Sequence, residues 1–148
     1  LVVDASVAVK WLIPEEYSHL ALKLLKKLAE GAVELHAPLL LKYEVYNSLR
    51  TYVSRNIITV ENAYKLSNIF SQIELNYHEP SWETLQASLK QAVEHDITVY
   101  DTTYITLAHE LDAAIITADE HLYQKAVDMD VQITYLPPSR NLVVRFLR

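Results

Sequence analysis

Apolar and polar positions along this chain fall into two alternating periods. Short apolar or alternating stretches at residues 1–3, 33–37, 73–77, 113–117 and 131–135 read as strands. Between them apolar residues return every three or four positions, the mark of helices with one buried face. These predict helices at 5–12, stopped by Pro14, and at 15–30, with Leu20, Leu24, Leu25 and Leu28 inward. A third runs over 38–56, with Pro38 in its first turn and Leu41, Val45, Leu49 and Tyr52 along its stripe. Further helices are expected at 60–72, at 80–95 with Trp82, Leu85, Leu89 and Val93 on one side, and after Asp119 to about Met129. One more opens at Asp101 and carries Tyr104, Ile105, Ala108 and Leu111 on its apolar stripe. Gly31, Asp96 and Asp112 stand where helices must give way to strands, positions that favour left-handed backbone.

Strand and helix alternate from end to end. That order predicts a parallel sheet covered on both faces, an α/β fold in a single domain spanning residues 1–148. The stretch 113–117 has the unbroken apolar character of a strand buried on both sides.

Composition narrows the chemistry. At 51% hydrophobic and 22% charged residues, the chain has the balance of a globular protein. No apolar run approaches a membrane span and no signal peptide is visible, so a cytoplasmic location is expected. Without cysteine there is no disulfide, no thiolate metal site and no thiol nucleophile. The single glycine excludes phosphate-cradling loops and dinucleotide fingerprints. The net charge of −6 argues against a basic nucleic-acid surface, unless divalent cations mask part of it. The six histidines show no paired metal spacing. The ten tyrosines are expected in the core or at a subunit interface. Lys10, Lys42, Arg50 and Arg55 read as solvated helix faces rather than a phosphate path.

Four acids stand apart from the rest. Asp4 follows the first strand and Asp119 the fourth, so both mark the carboxyl edge of the sheet, where ligands bind in open α/β folds. Asp101 opens the helix before that fourth strand, and Glu44 lies beside the stripe of the third helix. Each acid alone has an ordinary explanation, as an N-cap, a first-turn acid or a solvated glutamate. Each also has a hydroxyl or amide near it in sequence: Ser6, Asn47, Thr102 and Thr117. Carboxylates crowded at one edge repel, and Mg²⁺ or Mn²⁺ ions with oxygen ligands remove that penalty.

The segments Val2-Val3-Asp4-Ala5-Ser6, Tyr43-Glu44-Val45, Tyr100-Asp101-Thr102-Thr103-Tyr104 and Thr117-Ala118-Asp119 resemble the four signature segments of PIN domains. More narrowly the chain is similar to the VapC toxins of VapBC toxin–antitoxin systems. The resemblance implies a three-layer α/β/α fold whose five parallel strands are ordered 3-2-1-4-5. It makes Asp4, Glu44, Asp101 and Asp119 the acidic quartet, with Ser6 and Thr117 in support. It further implies RNA hydrolysis with one or two Mg²⁺ or Mn²⁺ ions, products with 5′-phosphate and 3′-hydroxyl ends, a homodimer, and a VapB-like antitoxin partner. Two other readings compete. In one, the fold is a catalytically silent binding module. In the other it is a phospho-receiver, which the lone acid after strand one and the missing lysine after strand five oppose.

Overall fold

The computed structural model describes residues 1–136, so the apolar segment 142–147, Arg145 and Arg148 lie outside the described residues. Five very short strands, β1 (Val2–Val3), β2 (His36–Pro38), β3 (Asn76–His78), β4 (Ile115–Thr117) and β5 (Ile133–Tyr135), form one parallel sheet ordered β3-β2-β1-β4-β5. Val2 pairs with His36 on one side and with Ile115 on the other, and Ile115 pairs in turn with Ile133. The helices are α1 (Ala5–Leu12), α2 (Ser18–Ala29), α3 (Leu40–Ser54), α4 (Val60–Ser71), α5 (Trp82–His95), α6 (Val99–Glu110) and α7 (Glu120–Asp128). Right-handed crossovers put α1 to α4 on one face and α5 to α7 on the other. The α/β/α order expected from the sequence is the one observed.

From β1 the chain travels outward to β3, then jumps back over the sheet to begin β4 on the other side of β1. The carboxyl ends of β1 and β4 therefore flank the point where strand order reverses, the ligand crevice of such sheets. Val2, Val3, Leu35, Ala37, Ile115 and Ile116 fill the middle layer and are buried. Among the described residues, no helix is long and apolar enough to cross a membrane.

Several local expectations shift. Strands β2 and β3 each begin three residues later than the pattern predicts, because pairing starts only where Asn76 N–H reaches Leu35 O (2.9 Å). Pro38 ends β2 instead of opening α3. Since β1 pairs with β2 only through Val2 and His36, the ladder does not need the N–H that proline lacks. Helix α2 starts at Ser18, because residues 15–17 form a turn that leaves Tyr17 at φ 64. Gly31, Asp96 and Asp112 do adopt left-handed backbone, at φ 68, 49 and 47.

Two helix faces differ more. The stripe on α5 points away from the core: Trp82 is 80% exposed and Val93 76%, whereas Ser88 and Ala92 are buried. These small residues let α5 approach α6 closely, with Ser88 Oγ 3.0 Å from Thr106 Oγ1 and Thr102 Oγ1 donating to Ser88 O (2.9 Å). Helix α6 is consequently buried all round from Thr102 to Ala108, not along one stripe. The tyrosines are divided: Tyr43, Tyr46, Tyr64 and Tyr100 are exposed, Tyr104 is fully buried, and the other five are half-buried.

Candidate active site

Asp4, Glu44, Asp101 and Asp119 line one cavity of about 400 Å³ at the carboxyl edge of the sheet, together with Ser6 and Asn47. Each acid is delivered by a local device. Asp4 leaves β1 with extended backbone and caps α1, its Oδ2 accepting from Ser6 N–H (3.2 Å). Asp119 does the same for α7, its Oδ1 accepting from His121 N–H (2.7 Å) and Leu122 N–H (3.2 Å). Asp101 sits in the first turn of α6, where Thr98 Oγ1 donates to its Oδ2 (2.7 Å) and accepts from its backbone N–H (3.1 Å). Glu44 comes from α3, on the opposite face of the sheet, and Tyr104 hydroxyl donates to its Oε2. Asp4 and Asp119 are thus both helix caps and lining residues of this cavity.

Ser6 and Thr117 both serve Asp4. Thr117 Oγ1 donates to Asp4 Oδ2 (2.9 Å), as does Ser6 Oγ. Ser6 Oγ in turn accepts from Ala118 N–H (2.8 Å), and Thr117 Oγ1 from Asp119 N–H (2.9 Å). One small network therefore fixes the ends of β1 and β4 relative to each other. Thr102, the hydroxyl nearest Asp101 in sequence, plays no part here because it points into the α5 contact.

A regularity runs through these contacts. Among the described residues, the side-chain hydrogen bonds found at each of the four carboxylates go to a single oxygen: Asp4 Oδ2, Glu44 Oε2, Asp101 Oδ2 and Asp119 Oδ1. Among the described residues the partners hold one oxygen of each carboxylate.

Crowding shows in the protonation behaviour. Burial pushes the Asp4 carboxyl up, against the pull of its Ser6 and Thr117 hydrogen bonds, and the charge of Asp119 adds to the rise. Glu44 is pushed up to about 7, chiefly by burial, with the charges of Asp4 and Asp101 adding and the Tyr104 hydrogen bond opposing. The Tyr104 phenol is raised well above its ordinary value by burial and by the nearby Asp4 and Glu44 charges. The donor set fits a divalent cation: oxygen only, four carboxylates, each already oriented from behind. As the side chains stand, no three acidic or imidazole groups among the described residues close on one point.

Three participants were not legible as site residues. Tyr104 reads as core, and Thr98 lies before the helix expected to open at Asp101, whereas it caps that helix. Lys10 reads as a solvated lysine, yet it lines this cavity, paired with Glu15 at 2.8 Å. Lys42, Arg50 and Arg55 are exposed, as expected. A second cavity, of about 430 Å³, opens beside α3 and is lined by Tyr43, Tyr46, Phe70 and Tyr77; among its described lining residues there is no carboxylate.

Comparison with known proteins agrees with this fold. The PIN domain family model matches residues 1–128. The chain is 32% identical over 130 residues to Ribonuclease VapC3 of Pyrobaculum aerophilum, covering 84% of this chain and 93% of that protein. In structure it resembles PAE2754 of the same organism (TM-score 0.65, 24% identity, 84% of this chain and 77% of that one). It also resembles VapC20 of Mycobacterium tuberculosis, a sarcin-ricin-loop-cleaving toxin (TM-score 0.62, 13% identity, 83% and 92%). With a 3-2-1-4-5 parallel sheet, four acids at its carboxyl edge and these relatives, the chain belongs to the PIN domain family and is of the VapC type.

Proposed function

We propose that this protein is a divalent-metal-dependent endoribonuclease that hydrolyses RNA phosphodiesters. The observation that carries the reading is the four carboxylates on one cavity, each tied through one oxygen. Asp4, Asp101 and Asp119 would hold Mg²⁺ or Mn²⁺, as one ion or two, with Glu44 binding directly or through water. A bound ion supplies positive charge at the phosphate and a lowered pKa for water. Ser6 and Thr117 keep Asp4 aimed, and Tyr104 keeps Glu44 at the cavity wall. Glu44 orients the attacking water through Oε1. Attack on phosphorus with loss of the 3′-oxygen leaves 5′-phosphate and 3′-hydroxyl ends, with no role for the 2′-hydroxyl. The relatives support a toxin that acts on RNA; silencing by an antitoxin, a homodimer and a cytoplasmic location complete the proposal.

The test is cleavage of labelled RNA in EDTA, Mg²⁺ or Mn²⁺ by the wild type and by Asp101→Asn, with circular dichroism confirming that both are folded. Cutting that needs metal and is lost in the variant is the expected result. Absence of both cutting and calorimetric metal binding would make the protein a binding module instead.

A further inference from the structure

We infer that Lys10 is an RNA-phosphate contact, held ready by Glu15 at the wall of the acidic cavity. The inference rests on the nuclease reading above. Its starting point is a residue in an unexpected place. Lys10 shares the cavity with Asp4, Glu44, Asp101 and Asp119, and its side chain is only 13% exposed. Ser6 and Lys10 are four apart on α1, hence on one face. Ser6 donates to Asp4, so the Lys10 backbone lies about one helical turn along from the residue that hydrogen-bonds the anchoring carboxylate.

Lys10 is not spent on neutralising the quartet. Among the described residues its ion pair runs to Glu15, at 2.8 Å, and to none of the four acids. Nor does the turn between α1 and α2 require that pair. Ser18 closes it unaided: its hydroxyl accepts from Glu15 N–H (2.8 Å) and donates to Ile13 O (3.2 Å), and its N–H donates to Glu15 O (3.1 Å). The pair is therefore dispensable for the corner. Its function is to keep a cation beside the carboxylates without letting it lie across them, where it would compete with a metal ion.

A phosphodiester entering this cavity meets five carboxylates, the four acids and Glu15, and Lys10 is the cationic side chain among the described residues lining it. Lysine serves phosphate as a mobile point charge. A phosphate oxygen replaces the Glu15 carboxylate like for like as the ammonium's partner, so the cation stays paired through the exchange. The phosphate reached would be one next to the scissile group, since the acids and their ions hold the scissile one.

The test is fluorescence anisotropy with a labelled single-stranded RNA oligonucleotide in Mg²⁺, in the Asp101→Asn background to suppress cutting, at salt from 50 to 200 mM. Adding Lys10→Met is expected to weaken binding by about three- to tenfold and to make the log K against log salt slope shallower by about 0.7, the loss of one phosphate contact. Adding Lys10→Arg keeps the slope. Adding Glu15→Gln leaves affinity equal or tighter, because it frees the ammonium. Equal losses from Lys10→Met and Glu15→Gln would mean a structural ion pair and overturn the inference, as would an unchanged slope in Lys10→Met. Cleavage by the otherwise wild-type protein reports separately on the nuclease reading, which can fail while the salt slope still decides Lys10.

Discussion

Tyr104 and Glu44, sixty residues apart, meet across the carboxyl edge of the sheet, the phenol of α6 donating to the carboxylate of α3. The contact ties together helices from opposite faces at the point where the acids gather. Tyr104→Phe removes one oxygen and nothing else. We expect it to fold, to lower the melting temperature by a few degrees through loss of about 1–2 kcal/mol, and to weaken metal affinity or turnover by about tenfold or more. Thermal melts, calorimetry and the cleavage assay read the three effects separately.

Asp4→Asn should split stability from activity. Asparagine caps a helix about as well as aspartate, and it relieves a carboxylate that is fully buried and pushed upward by burial and by Asp119. The metal-free variant is expected to match or exceed the wild type in urea denaturation while losing RNA cleavage by at least about a hundredfold. A clear loss of stability would mean that the Asp4 charge is needed for folding.

Ser6→Ala should act mainly through its neighbours. It leaves Ala118 N–H without the acceptor it has at 2.8 Å and removes a donor from Asp4. An unsatisfied buried amide costs about 1–3 kcal/mol. The expected outcome is a lower urea midpoint with an unchanged slope, together with reduced cleavage.

Metal-free stability should fall as pH rises. Glu44 is raised from 4.5 to about 7, so the folded state binds more protons than the unfolded one between those values. The stabilisation is fully present below pH 4.5 and is lost as pH climbs through 7, by roughly 2 kcal/mol after discounting for solvent access. Asp4, shifted in the same direction, adds to the trend. Denaturation at pH 5 and pH 7.5 in EDTA tests this. Mg²⁺ or Mn²⁺ should oppose the loss, because a bound cation favours the ionised carboxylates.

What could be read from the sequence were features set by neighbours in the chain. Asp4 and Asp119 announce themselves by ending apolar strands and preceding helices, and alternating elements fix a parallel sheet. Asp96 and Asp112 betray left-handed turns by residue type together with their place between a helix and a strand. Features set by distant neighbours stayed hidden. Tyr104 looks like any apolar helix position until Glu44 arrives from α3, and Lys10 looks solvated until the cavity closes round it. The α5 stripe misleads for a related reason: its larger apolar residues suggest a buried face, but Ser88 and Ala92 are the ones small enough to let α6 come near.

Three of the four acids stand at helix beginnings, Asp4 and Asp119 as caps and Asp101 in a first turn. The partial positive charge at those helix ends offsets part of the repulsion that four clustered carboxylates create. The polypeptide can therefore finish folding before it meets an ion, unlike domains whose structure collapses on chelation. Ion supply then governs when the protein works and not whether it is built, so a chelated preparation should be a competent, storable precursor that wakes on addition of metal.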